Sequence, residues 1–252
     1  MADELTKPAP ATSPSLVEPG AVDRAARLRA QARSEERLAA ALATIAGFVD
    51  AYGIIAYGVY VSFMSGNTTQ TGYQTAEGAF GPAALSALAI LFFVGGSFAG
   101  TLLVEFAGRL ARRAVFGVVA AALAATVGFA RFGYLSAGVH VAAISLAMGI
   151  MNTALSRVGA QSVSLTFVTG TLSRVGSNLA LALRRAPLKD SQGPWDTHLR
   201  RALLLARVWT GFLIGALASG VATPRLGVWV LLAPALILAG LAAFDRSSGA
   251  AG

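Results

Sequence analysis

The sequence contains no cysteine and few charged residues. Without cysteine the chain has no disulfide bonds and no thiolate metal site, although this absence leaves the compartment open. Charged residues make up 13% of the 252 residues, against roughly 25% in soluble globular proteins. Hydrophobic residues make up 55%, and the mean hydropathy is +0.64. Such a chain has too little polar surface for water, and we expect it in a lipid bilayer.

Sequence patterns of the common catalytic sites are also absent. There is no H-E-x-x-H, no G-x-S-x-G, no Walker A sequence and no pair of carboxylates within the apolar runs. We therefore expect neither enzymatic activity nor a cofactor. An enzyme embedded in the membrane would have only Asp50 and hydroxyl groups to work with.

Six apolar runs approach or exceed the roughly 20 residues that cross a bilayer. They predict an all-α membrane bundle with six spans, at residues 38–61, 83–104, 114–130, 139–155, 202–222 and 226–244. The third and fourth runs are short and adjacent, which favours a tight helical hairpin.

The net charge of +8 is distributed unevenly over the predicted loops. Of the 20 Lys and Arg residues, all but Arg131 and Arg225 lie on the side that holds both termini. An excess of basic residues marks the cytoplasmic side of a membrane protein. We expect a multi-pass protein of the bacterial inner membrane with both termini in the cytoplasm, and no binding of nucleic acid.

Two parts are expected: a tail at residues 1–37 and a membrane domain at residues 38–246. The first 20 residues are rich in Pro, Ser and Ala, a composition typical of disorder. The basic stretch "DRAARLRAQARSEERL" at 23–38 is helix-prone and is expected either to lie on the inner membrane surface or to form a solvated extension.

One polar motif occurs twice. "SFMSGNTTQTG" at 62–72 aligns with "TFVTGTLSRVG" at 166–176, matching Phe, Gly and Gly, and hydroxyl for hydroxyl at three further positions. Upstream, "GFVDA" at 47–51 aligns with "GIMNT" at 149–153, which pairs Asp50 with Asn152. The alignment predicts an internal repeat with halves at about 38–135 and 138–246.

The predicted topology inverts this repeat. Three spans separate the two copies of the motif, so the copies face opposite sides of the membrane. Inverted repeats with helices broken at corresponding positions are a signature of secondary transporters. The sequence therefore predicts a three-plus-three inverted repeat with two broken or re-entrant segments.

The two motifs supply the residues that a break inside the membrane needs. Gly66 and Gly170 permit unusual backbone angles, and Ser65 and Thr169 are expected to cap the freed amides. Helices starting there would point their positive ends at a shared cavity, which favours an anionic or polar solute. The candidate binding residues are Ser65, Gly66, Asn67, Thr68, Thr169, Gly170 and Thr171. The alternative is a pair of ordinary surface turns.

Asp50 and Asn152 complete the predicted site near mid-membrane. An intramembrane carboxylate costs about 2.5–3.5 kcal/mol on insertion scales and usually faces a cavity or a partner. Asp50 is therefore a candidate for proton coupling. The alternative is a structural Asp50, hydrogen-bonded to a neighbouring helix through Asn152.

The stretch "AGFVDAYGIIAYGVYVSFMSGNTTQTG" resembles the first-span signature of the YoaK-type bacterial membrane proteins, a family with a domain of unknown function. The second-half "AMGIMNTAL" and "SLTFVTGTL" resemble its M-G-x-x-N and T-x-x-T-G-T patterns, and the likeness covers residues 38–244. It implies a six-span inner-membrane protein. The residues that it implies as family features are Gly47, Asp50, Ser65, Gly66, Asn67, Asn152, Thr169, Gly170 and Thr171. Ser65 stands where that family more often has Thr, and the resemblance supplies no substrate.

We interpret the chain as a small secondary transporter or permease whose partners are the lipid bilayer and an unidentified small polar or anionic solute. A scaffold or sensor protein that transports nothing is the alternative.

Overall fold

The computed structural model describes residues 19–131, 133, 136–154, 168–188, 190–191, 193 and 195–244, with side chains from residue 26. Outside the described residues lie the first 18 residues of the predicted tail, residues 132, 134 and 135 between the third and fourth predicted spans, and residues 155–167, which include the first two residues of the second motif. The described chain is all-helical, which confirms the predicted fold class at that level.

Eight α-helices occur in the described chain. They are α1 (Pro19–Tyr57), α2 (Met64–Ala76), α3 (Phe80–Ala107), α4 (Ala111–Arg131), α5 (Ala137–Asn152), α6 (Val168–Leu183), α7 (His198–Leu226) and α8 (Leu232–Phe244). Short 3-10 turns at Gly108–Leu110 and Gly227–Leu231 join α3 to α4 and α7 to α8.

Three segments of the described chain are long and apolar enough to cross a membrane: Ala26–Tyr57, Phe80–Ala130 and His198–Phe244. A shorter apolar helix, α5, accompanies them. Large apolar side chains cover the outside of the bundle, for example Phe98 and Phe106 on α3 and Val221 on α7. An exterior of this kind is suited to lipid rather than to water.

α1 differs from the prediction at its start. It is one continuous helix of 39 residues, about 58 Å long at 1.5 Å per residue, which is nearly twice the hydrocarbon thickness of a bilayer. The basic stretch before residue 38 therefore extends the first span and does not turn to form a separate surface helix.

Helix packing is organised by two close pairs. α1 packs along α7 and α3 packs along α5, while α4 packs on α8. Within each close pair the two helices run in the same direction: Ala40 and Thr44 lie beside Gly211 and Gly215, as Gly138 and Ile150 lie beside Leu88 and Gly100. The core fills the space between α1, α4, α5 and α8, with Leu42, Phe116, Leu123, Met148 and Leu238 fully enclosed.

The extension of α1 is tied to two other helices by ion pairs. Glu35 accepts from Arg112 at the start of α4 over 2.8 Å, and Glu36 pairs with Arg200 at the start of α7. Arg200 also lies 4.4 Å from the centre of the Trp195 ring. These contacts fix the end of the bundle at which the predicted cytoplasmic charges gather.

Candidate functional site

The first break lies between α1 and α2, at residues 58–63. α1 ends at Gly58, whose φ of +71° is the left-handed conformation that closes many helices. The amide of Gly58 donates to the Ile54 carbonyl over 3.0 Å. The break therefore precedes "SGNTTQTG", which is helical, whereas the sequence had suggested a break at Gly66.

Asp50 binds the broken segment. Its Oδ1 accepts the backbone amides of Val61 at 2.9 Å and Ser62 at 2.8 Å, and the residue is only 4% exposed. Asp50 stands seven residues before Tyr57, so Val61 and Ser62 lie about 10 Å back along α1 from its end. The chain thus leaves α1, turns back beside it and starts α2 near Asp50, which makes this a re-entrant segment.

A glycine permits that close return. A Cβ on Gly53 would lie 2.8 Å from the Val59 carbonyl oxygen and 2.8 Å from a methyl group of Val61. Any larger residue would push the returning chain away from α1 and lengthen the bonds to Asp50.

Asn67 holds the same segment from the α2 side. Its Oδ1 accepts from the Tyr60 amide at 3.1 Å and its Nδ2 donates to the Tyr60 carbonyl at 2.6 Å. Asn67 is completely buried. The side chain therefore replaces, for Tyr60, both backbone partners that a helix or sheet would have supplied.

The neighbouring candidates have other roles than expected. Helix α2 starts after Phe63 without a side-chain cap, so Ser65 is not the N-cap; it is exposed, like Thr68. The hydroxyl of Thr68 donates to the Met64 carbonyl over 2.8 Å inside the helix. Gly66 has ordinary helical angles, and its lack of a side chain makes room for the Phe63 ring, 2.5 Å from where a Cβ would stand.

Gln70 is a member of this site that sequence reasoning missed. Its Nε2 donates to the Gly58 carbonyl over 3.3 Å, and its Oε1 accepts from the buried Ser86 of α3 over 3.2 Å. Gln70 joins the end of α1 to α2 and α3. Gln70 lies about one helical turn after Asn67, and this spacing in the sequence could have indicated that the two side chains share a face of α2.

The second motif is described from Val168 onward. α6 starts at that residue, and Thr169 is exposed, Gly170 half-buried and Thr171 buried. In the sequence alignment Met64 corresponds to Val168 and Asn67 to Thr171. Among the described residues each of these helices has one buried residue, Asn67 in α2 and Thr171 in α6, and the two are aligned.

Asn152 is the last residue of α5. Its Oδ1 is buried and has no hydrogen-bond partner among the described residues. The bonds of Asp50 go to Val61 and Ser62, so the structural alternative has its contact in the re-entrant segment and not through Asn152.

A buried aromatic cluster lies at the end of α1, and His140 is part of it. The Tyr57 ring stacks on His140 with 5.8 Å between centroids, and the Tyr57 and Tyr52 hydroxyls are 3.2 Å apart. His140 Nδ1 lies 3.2 Å from the Ser136 carbonyl, whereas Nε2 is buried without a partner in the described chain.

Near the start of α7, the buried side chain of Arg201 binds two aspartates that precede the helix. Arg201 donates to Asp196 at 2.9 and 2.7 Å and to Asp190 at 3.0 and 3.1 Å. Arginine and carboxylate match in a fork-like geometry, so this pair orders the connection between α6 and α7. No group of three or more potential metal ligands occurs in the part of the chain that the structure describes.

Comparison with known proteins identifies the family but no activity. Residues 38–244 match the family described as "Protein of unknown function (DUF1275)". The chain is similar to the UPF0700 transmembrane protein RA0705 of Rhizobium meliloti (strain 1021), with 30% identity over 220 residues, which are 85% of this chain and 88% of that protein. No solved structure matches. The resemblance to YoaK-type proteins is confirmed, and this multi-pass membrane protein belongs to the DUF1275 family.

Proposed function

We propose that the protein is a small secondary transporter or permease built as an inverted repeat of three plus three spans. In this assignment α1, α2, α3 and α4 of the first half correspond to α5, α6, α7 and α8 of the second. The site would lie near mid-membrane between the two helix breaks. The observation that carries the proposal is a pair of matching helix crossings.

In the first crossing, α1 and α7 meet through Gly47 and Gly215. A Cβ on Gly47 would collide with the Phe212 carbonyl, and one on Gly215 with the Thr44 carbonyl. Each glycine therefore contacts the backbone three residues before the other glycine.

In the second crossing, α5 and α3 meet through Gly149 and Gly96 in the same way. A Cβ on Gly149 would collide with the Phe93 carbonyl, and one on Gly96 with the Leu146 carbonyl. Exchanging the two halves converts the first crossing into the second. Close approach through small residues is how membrane helices pack, and the same reciprocal spacing in both pairs supports duplication.

Two further sets of contacts follow the same exchange. α2 packs on α3 as α6 packs on α7, and α4 packs on its own counterpart α8. With six spans, α1 and α5 would cross in opposite directions, so the starts of α2 and α6 would be reached from opposite sides of the membrane. Alternating access would come from rocking one half against the other.

The aligned residues Asp50 and Asn152 differ in charge. Asp50 lies at the positive end of α2 and satisfies two amides there, whereas the corresponding residue of the second half is the neutral Asn152, whose Oδ1 is unpartnered among the described residues. The positive end of α6 thus lacks a carboxylate at the aligned position. We infer that a polar or anionic solute contacts Asn152 and the start of α6, at Thr169, Gly170 and Thr171.

Proton coupling through Asp50 is part of the proposal. An ionised carboxylate accepts hydrogen bonds more strongly than a protonated one. A proton arriving at Asp50 would weaken the bonds to Val61 and Ser62 and loosen the re-entrant segment. Unchanged transport and unchanged pH dependence in Asp50→Asn would refute the coupling role but leave transport standing.

The experiment that tests transport uses single cysteines, which is simple because the chain has none of its own. In proteoliposomes, Ser65→Cys and Thr169→Cys are expected to react with a water-soluble maleimide from opposite sides, at rates that change when a screened solute is added. The same solute is expected to raise the unfolding temperature in detergent, and Asn152→Ala is expected to reduce that gain.

A scaffold or sensor protein is the second candidate, and the dry packing of the first break favours it. Asp50 and Asn67 are both buried and both occupied by backbone partners. Under this alternative neither cysteine reacts, or the rates stay constant under every solute tested.

The bacterial inner membrane and cytoplasmic termini are part of the same proposal. The basic residues of the α1 extension, the α3–α4 turn and the chain before α7 support this orientation.

A further inference from the structure

A cavity of about 450 Å³ opens between α1, α4 and α8 at the end of the bundle that carries the basic residues. Its polar end is formed by Ser34, Arg37 and Arg112. Its apolar wall is formed by Leu38, Phe116, Leu241 and Phe244. The cavity is therefore charged at one end and apolar at the other.

The gap exists because α8 packs along α4 and only grazes α1. Exchanging the two halves turns the pair α8 and α1 into the pair α4 and α5, which packs closely. Two large apolar side chains border the space. Phe116 is fully enclosed, whereas Phe244, the last residue of α8, is 83% exposed. The wall thus continues from the core to the lipid-facing surface.

Arg37 at the mouth of the cavity is exposed and has no hydrogen bond or ion pair with any residue that the structure describes. The other arginine of the mouth, Arg112, is paired with Glu35 over 2.8 Å. Arg37 therefore offers a positive charge that a phosphodiester would balance. Arginine binds phosphate in a bidentate geometry.

Depth distinguishes a lipid from a soluble anion. Arg37 directly precedes the apolar run of α1, and Arg112 lies two residues before that of α4. Both guanidinium groups therefore lie at the level of the lipid headgroups, while Leu241 and Phe244 lie beside the acyl chains. Basic pockets between membrane helices on the cytoplasmic side suit anionic headgroups.

We propose that this cavity is a binding site for one anionic phospholipid. The lipid phosphate lies between Arg37 and Arg112, and one acyl chain follows Phe116, Leu241 and Phe244. A zwitterionic lipid would bring a cationic group to a mouth that is already positive, so the site favours lipids with a net negative charge.

The test uses the purified full chain in neutral detergent, with added dioleoyl phosphatidylglycerol, dioleoyl phosphatidylcholine or inorganic phosphate. Unfolding temperature and the number of lipids retained in native mass spectrometry are measured. We expect phosphatidylglycerol to raise the unfolding temperature by several degrees more than phosphatidylcholine, with one copy retained, and phosphate alone to have no effect.

Three variants localise the effect. Arg37→Gln removes an arginine that makes no hydrogen bond or ion pair in the described chain, so it is expected to fold normally and to lose most of the gain and the retained lipid. The matched control Arg29→Gln, two turns earlier on the exposed side of α1, is expected to keep both. Leu241→Trp fills the apolar wall and is expected to reduce the gain while both arginines remain.

Three results would overturn the site. Phosphatidylcholine that stabilises as well as phosphatidylglycerol would remove the charge argument. A full gain in Arg37→Gln would place the lipid elsewhere. A gain from inorganic phosphate equal to that from the lipid would make this a soluble-anion site.

Discussion

Two buried side chains, Asp50 and Asn67, support a segment of backbone that belongs to no helix. Together they satisfy three amides and a carbonyl of residues 60–62. Inside a membrane each unpaired backbone group would cost several kcal/mol. The polar residues that make the sequence unusual at this point are therefore first of all the hydrogen-bond partners of the irregular segment.

At this scale, Asn67→Ala is expected to destabilise the protein. The change leaves the amide and the carbonyl of Tyr60 buried without partners, at a cost of about 2–4 kcal/mol. Thermal unfolding in detergent measures the effect. Thr68→Ala is the matched control, since Thr68 is the next residue and its side chain is exposed; its cost should stay within about 0.5 kcal/mol. Equal effects of the two changes would contradict the role of Asn67.

A second residue prediction concerns Arg201, which is 6% exposed and pairs with the equally buried Asp196. Arg201→Gln removes the ion-pair partner of that buried carboxylate, and we expect a loss of about 3–5 kcal/mol. The neighbouring Arg200 is the control: its pair with Glu36 is more exposed, and Arg200→Gln should cost about 1 kcal/mol or less. A smaller loss for Arg201→Gln than for Arg200→Gln would refute this account of the loop.

Sequence reasoning reached the presence of a break but not its position. A glycine in a membrane helix permits either an unusual backbone angle or the close approach of another group, and the sequence alone does not distinguish these two roles. Gly58 has the positive φ, while Gly66 makes room for a ring. The partners of Asp50 lie 11 and 12 residues further along the chain, a separation that no local pattern reveals. The stacking of His140 on Tyr57 is likewise a contact between residues far apart in the sequence, which no local pattern reveals.

Among the helices, the close pairs α1–α7 and α3–α5 define the architecture. Apolar runs were sufficient to find the helices other than α2 and α6. For example, the predicted span 83–104 lies within α3, and 114–130 lies within α4. This success follows from the bilayer, which demands apolar surface along each crossing. Which helices pair could not be predicted, because nearly every helix is rich in glycine and alanine. Which helices pair depends on which glycines contact the backbone of a neighbouring helix.

The matching crossings predict matching effects of substitution. Gly47→Ala and Gly149→Ala each drive a methyl group into the backbone of a neighbouring helix, and each is expected to cost at least about 1–3 kcal/mol. Gly72→Ala and Gly176→Ala are the controls from the two copies of the motif, since a methyl group there meets no atom within 4 Å. These should be neutral or stabilising by up to about 1 kcal/mol. Unequal losses at Gly47 and Gly149, with one near zero, would argue against equivalent crossings.

For the whole molecule, the central proposal is that two halves of one fold cross the membrane in opposite senses. The aligned buried residues Asn67 and Thr171, the exchange of α1–α7 with α5–α3, and the uneven basic charge all support it. If the halves are inverted, α2 ends on the outer side of the membrane and α6 on the inner side. The exposed residues Glu77 and Arg184, just after those helices, report directly on this difference.

Sidedness of Glu77→Cys and Arg184→Cys is the most direct measurement. In intact cells a membrane-impermeant maleimide is expected to label Glu77→Cys at once and Arg184→Cys only after the membrane is permeabilised. Labelling of both positions from the same side would contradict the inverted repeat and with it the proposed transporter.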